Sequence, residues 1–219
     1  MINNLQPRKK QNYNTLVIHS TDISFGFGFR KNNDAGSDEL FIKEFDKDLC
    51  NNLIVDFNKF ISKENLQKVS KISVSIGPAN FNASRLIVVL ARTISQQINC
   101  PLESFSSFKL IAKRIALKNN IYINKKYFWI YKKLKRKGLI AGKYEIGQNE
   151  PKSADLVIRE TVLPKVIQDF ERKELFFEAN YEDKLDLKEL LDLSNKNFLN
   201  SNVNSWQKVL PLYPISPIN

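Results

Sequence analysis

Between residues 23 and 30 the chain alternates strictly: Phe25, Phe27 and Phe29 fall on one side, Ser24, Gly26 and Gly28 on the other. A period of two places the three rings on one face of an extended strand. Leu16–Ile18 forms a short apolar strand before it. Leu40–Phe45 alternates again after a turn rich in Asn, Asp and Gly, and so returns as an antiparallel strand. The period then lengthens. Leu49, Leu53, Ile54, Phe57, Phe60 and Ile61 recur at helical spacing, which predicts a helix over Lys47–Ser62 capped by Asp46 or Asp48.

The next stretch organises the rest. Ile72–Ile76 is a short apolar run that stops at Gly77-Pro78. A helical pattern runs from Asn82 to Ile98, Cys100-Pro101 ends it, and Leu102–Phe105 reads as a strand. This is a strand, tight turn, crossover helix, strand unit. Ser106-Ser107 offers a cap for a further helix over Phe108–Lys118. Tyr127–Tyr131 is apolar on both faces, as an interior strand would be, and a turn at Lys135–Gly138 leads into a strand over Leu139–Ile146. Downstream the pattern predicts a strand at Asp155–Arg159, leaves Leu163–Phe170 ambiguous, and predicts a strand at Leu175–Ala179 and an amphipathic helix at Leu185–Leu199. A proline-bearing extended tail begins at Val209. The chain therefore belongs to the α/β class. We expect a flexible tail over residues 1–14, a lobe over 15–119 and a smaller lobe over 120–219.

Composition narrows the chemistry. Of 219 residues, 42% are hydrophobic, enough for a real core. A single histidine, His19, excludes any metal site built on paired histidines and leaves one partner for a nucleophile. No metal site and no cofactor are expected. Cys50 and Cys100 lack metal-ligand spacing and read as buried thiols of a reducing compartment, so the cytoplasm is the expected location. The longest apolar run, Leu86–Ala91, is too short to span a membrane, and the N-terminus lacks the apolar stretch of a secretory signal.

The net charge is +11, and twelve Lys or Arg with no Asp or Glu fall between Ser104 and Tyr144. Tyr122, Tyr127, Phe128, Trp129 and Tyr131 are interleaved with them. Lys132, Lys133, Lys135, Arg136 and Lys137 form the densest cluster. They are candidates for contact with a nucleic-acid phosphate backbone, or else a solvated hairpin tip.

The central turn, Gly77-Pro78-Ala79-Asn80-Phe81-Asn82-Ala83-Ser84-Arg85, resembles the GPGSFTGLR motif of the TsaB (YeaZ) family, matching at Gly77, Pro78, Phe81 and Arg85. Ser106-Ser107-Phe108 resembles that family's Ser-Ser-Leu element, the opening TLVIHSTD its ILAIDTST, and Pro211-Leu212-Tyr213 its C-terminal Pro-x-Tyr. The resemblance implies an actin-like ATPase fold of two lobes, each a mixed sheet flanked by helices, with the second lobe shortened. It also implies a role. TsaB proteins are non-catalytic partners of TsaD, which threonylcarbamoylates the adenosine next to the anticodon of certain tRNAs, and the ATPase TsaE joins the assembly. Pairing with TsaD, or with a second copy, uses helices of the first lobe.

The departures from the motif bear on catalysis. His19 stands where an early acidic residue is usual, and Ala79 and Ala83 add methyl groups where glycines would let backbone N–H groups approach phosphate. A pseudo-enzyme is the expectation, with Asn80 or Asn82 as an ordinary helix cap. The alternatives are a small-molecule kinase of actin-like fold, a basic RNA-binding protein, and a thiol enzyme pairing Cys50 or Cys100 with His19. The apolar pattern on both predicted first-lobe helices is wider than one packing contact needs. The expected partner surface comprises Leu53, Phe57, Ile87, Val88, Ala91 and Ser95, so that Val88→Glu or Ala91→Glu would break association and leave the monomer folded.

Overall fold

A computed structural model describes residues 13–32, 34–45, 49–124, 126–134, 138–147, 156–168, 174–197 and 206–213. The expected caps Asp46 and Asp48, the side chain of Cys50, and nearly all of the expected N-terminal tail lie outside those residues.

The first sheet has five strands in the order β3-β2-β1-β4-β5. These are β1 (Asn14–Ser20), β2 (Ser24–Arg30), β3 (Glu39–Glu44), β4 (Val69–Ser75) and β5 (Leu102–Phe105). Strands β1, β2 and β3 run antiparallel through short turns. Strands β4 and β5 join in parallel, because α3 (Phe81–Ile98) carries the chain back between them. The second sheet repeats that plan with one strand fewer, in the order β8-β7-β6-β9. Its members are β6 (Tyr127–Lys133), β7 (Leu139–Ile146), β8 (Ile158–Ile167) and β9 (Phe176–Glu178). Again the first three are antiparallel and the fourth is parallel to the first.

The predicted strand at Asp155–Arg159 and the ambiguous stretch after it are one strand, β8. Its alternation is obscured in sequence by Pro164 and by the register shifts opposite Lys143. Pro164 is tolerated because β8 is an edge strand.

Two helices exchange sheets. Helix α4 (Ser107–Lys118) follows the first sheet, yet Phe108, Ile111, Ala112 and Ile115 pack with Phe128, Ile130, Tyr144 and Ile158 of the second. Helix α6 (Asp183–Asn197) follows the second sheet, yet Leu187 and Leu191 pack with Val17 of the first. A division near residue 119 therefore separates the strands, while the helices cross it. On the opposite face of the first sheet, α1 (Leu49–Phe60) and α3 bury Leu53, Phe57, Ile87, Val88, Ala91 and Ile94 against Phe25, Phe27 and Phe29. Two short helices, α2 (Lys63–Gln67) and α5 (Ile121–Asn124), complete the set.

Gly26 and Gly28 explain why α6 sits so close. A Cβ on Gly26 would lie 2.7 Å from Leu187 Cδ1, and one on Gly28 would lie 3.3 Å from Leu191 Cδ1. These glycines are spacers for a helix and hold no phosphate. Polar clamps fix the same helix. Lys71, buried in β4, donates to Ser194 O at 2.9 Å and pairs with Glu103 at 2.5 Å. Arg30 bridges Asp38 and Asp192.

Candidate functional site

The motif turn lies at the carboxyl ends of the parallel strands β1, β4 and β5, where the two lobes meet. Open α/β sheets place their ligand sites at such ends. Gly77 has φ +101, a conformation that side chains disfavour, and it precedes Pro78 through a cis peptide bond. Its carbonyl accepts from Ser107 N at 2.7 Å, so the turn is tied to the start of α4. Asn80 N donates to Thr21 O at 3.2 Å, tying it to the β1–β2 turn. The C-terminal segment closes the third side: Leu212 N donates to Ile76 O at 2.8 Å, and the Tyr213 ring lies 5.2 Å from that of Phe81. Arg85, the last motif residue, sits over the other aromatic partner, 5.5 Å from the centroid of Phe81. Gly77 and Pro78 thus form the turn, and Phe81 and Arg85 face each other on the first turns of α3 that follow it.

The Asn80 side chain accepts from Ala83 N at 3.2 Å and caps α3, as the sequence allowed. On the cleft side of the turn, side chains from other elements bond to it and to its neighbours. Tyr181 donates its hydroxyl to Pro78 O at 2.6 Å. Lys132 pairs with Asp22 and lies 5.8 Å from the Tyr181 ring centroid. Arg114 pairs with Asp186 at 2.7 Å, and Ser24 donates to Asp183 at 2.7 Å.

His19 is 1% exposed. Its Nδ1 is 2.8 Å from Ser75 Oγ, and its Nε2 faces Asp186 Oδ2 at 4.0 Å without a hydrogen-bond partner. Burial pushes its pKa down to about 3, so it is the neutral imidazole at neutral pH. Burial also pushes Asp186 up to about 6, against the opposing pull of Arg114. Cys100 is half-buried, and burial pushes its thiol up to about 12, the opposite of the lowering that activates a cysteine. Among the described residues no group of three or more His, Cys, Asp or Glu is placed to hold a metal ion.

The predicted partner residues need correction. Leu53, Phe57, Ile87, Val88, Ala91 and Ser95 are at most 3% exposed, because they face the first sheet and its surroundings. The periodicity was right and its phase was not. Two stripes of similar apolarity ran along α3, and only the packed structure distinguishes them. The solvent-facing apolar residues of these helices are Ile54 at 57%, Val55 at 48% and Val89 at 58% exposed.

The basic cluster also changes. Lys132 is held by Asp22, a partner far away in sequence. Lys133 is exposed, and Lys135, Arg136 and Lys137 lie outside the described residues. Acids missing from the segment arrive from elsewhere: Glu174 pairs with Lys143, and Glu182 with Arg114.

Sequence reading missed one further feature, a cavity of about 460 Å³ between α4, α6 and β8. Lys109 and Glu160 line it, and burial pushes Lys109 down to about 8. Glu160 accepts from Ser106 and Tyr144 at 2.5 and 2.7 Å. No local motif announces it, since its walls come from three separate segments.

No protein-family model and no curated protein sequence matches the chain. Solved structures do. One is an uncharacterized protein with similarity to peptidase YEAZ from Pseudomonas aeruginosa, with TM-score 0.66, 13% identity, and 93% of this chain and 100% of that one covered. Another is YeaZ from Pseudomonas aeruginosa, with TM-score 0.63, 13% identity, and 92% and 99% covered. The chain has the fold of these YeaZ structures over nearly its whole length.

Proposed function

We propose that this protein is a divergent TsaB-type subunit: a non-catalytic partner that pairs with a TsaD-type transferase in threonylcarbamoylation of tRNA, alongside a TsaE-type ATPase. The observation that carries the reading is the set of bonds on the cleft side of the motif turn. Two sheets of like strand order meet near the motif turn, where a phosphotransferase of the actin-like fold that the resemblance implies would need room for nucleotide phosphates. Here Tyr181, Lys132 and Arg114 occupy that side and bond to Pro78 O, Asp22 and Asp186. A neutral buried imidazole stands where an acidic residue would serve a metal. This arrangement supports a non-catalytic role. What it offers outwardly is an apolar helix surface. The exposed apolar side chains Ile54, Val55 and Val89 on the first-lobe helices support pairing through that lobe, with a transferase subunit or with a second copy.

Reconstitution tests the role. A TsaD-type subunit with its ATPase partner, threonylcarbamoyl donor and tRNA should form little threonylcarbamoyladenosine alone and much more when this protein is added. Equal product with and without it contradicts the reading.

A further inference from the structure

The second sheet has one face packed on α4 and another that carries a chemistry not used above. Strand pairing assigns that outer face. Trp129 lies opposite Lys143 and Phe176, Tyr131 opposite Ala141, Tyr127 opposite Glu145, and Glu145 opposite Arg159. Ala141 pairs in turn with Lys165. Phe128, Ile130, Tyr144 and Ile146, the alternate residues, point into the core. The outer face therefore presents Tyr127, Trp129, Tyr131 and Phe176 in a patch, with Lys133, Lys143, Arg159 and Lys165 along and around it. Tyr127 is 42% exposed, and Lys133, Arg159 and Lys165 are exposed.

The aromatic groups are held in place by one another and by charged neighbours. Trp129 and Phe176 stack at 5.7 Å and 12°, and Glu174 accepts from Trp129 Nε1 at 2.6 Å. The Lys143 ammonium lies 5.4 Å from the Tyr127 centroid and 5.3 Å from that of Trp129, held there by Glu174. Rings locked this way lose little entropy when a planar ligand lies on them.

We propose that this outer face binds single-stranded RNA, with unpaired bases stacking on Tyr127 and Trp129 and the backbone following Lys133, Arg159 and Lys165. Aromatic side chains on an open sheet, rimmed by cations, suit unstacked bases whatever their sequence. The charge on this face favours an anionic occupant, because Lys133, Arg159 and Lys165 are exposed while Glu145 and Glu174 are already paired with Lys126 and Lys143. The inference deepens the tRNA part of the proposed function and moves the contact from the hairpin tip to the sheet. It needs no transferase subunit.

The test uses the full chain alone. Trp129 and Trp206 are the two tryptophans, so a Trp206→Phe variant makes fluorescence report on Trp129. Titration with oligouridylate of about 12 nucleotides should quench it saturably. Tyr127→Ala should weaken binding about tenfold and Lys165→Glu by a similar factor, with the fold checked by circular dichroism. For each phosphate neutralised, log K should fall by about 0.7 per log unit of salt. Three outcomes overturn the proposal: no saturable quenching, affinity unchanged by Tyr127→Ala, or duplex RNA competing as well as single strands, which would leave only a charged surface.

Discussion

The Tyr181 hydroxyl donates to the carbonyl of Pro78 at 2.6 Å, joining the entrance of α6 to the motif turn of the other lobe. Burial, with Asp22 and Asp186 nearby, holds that hydroxyl well above its ordinary pKa, so it remains a donor at any physiological pH. Tyr181→Phe removes the donor and leaves a shielded carbonyl unpaired. The expected cost is about 1 kcal/mol, a fall in Tm of about 2–4 °C for a chain of this size, read by differential scanning calorimetry.

His19 and Asp186 predict opposing pH dependences. The folded pKa of His19, about 3, lies below its unfolded 6.5, so the unfolded chain binds the proton first and stability falls as pH drops below 6.5. The folded pKa of Asp186, about 6, lies above its unfolded 3.8, so its contribution is full below 3.8 and is lost as pH rises toward 6. Between those values the slopes offset each other. His19→Gln should expose a stability that decreases from pH 4 to 6, and Asp186→Asn one that increases. Urea midpoints across that range decide it; equal slopes in both variants refute the assignment.

Gly26→Ala tests the close approach of α6. The new methyl would stand 2.7 Å from both Leu187 Cδ1 and Phe41 O, and the carbonyl cannot rotate away. A loss of about 1–3 kcal/mol is expected from such overpacking, measured by denaturant unfolding.

The corrected phase of α3 separates two substitutions one residue apart. Val88 is 1% exposed and Val89 is 58% exposed. Val88→Glu buries a charge against the first sheet and should prevent folding. Val89→Glu should leave Tm within about 1 °C and affect only association.

The contrast between those neighbours shows what the sequence could reveal. Strand alternation at Phe25–Phe29 and the helix, turn and strand around Gly77 were legible, because period and punctuation are local. The phase of α3 was not, because its two apolar stripes are nearly equivalent until a sheet covers one. Nor were the ion pairs Lys132–Asp22 and Arg114–Asp186, whose partners are 110 and 72 residues apart. The exchange of α4 and α6 between sheets was hidden for the same reason: local pattern tells that a helix is amphipathic and says nothing of which sheet it meets.

The central claim is that this protein works by pairing. Size-exclusion chromatography of the chain mixed with the TsaD-type subunit from the same source, with and without ATP, tests it most directly. The account predicts a stable one-to-one complex that forms with wild-type protein and is lost with the folded Val89→Glu variant. Separate elution of the two proteins under every nucleotide condition would contradict it.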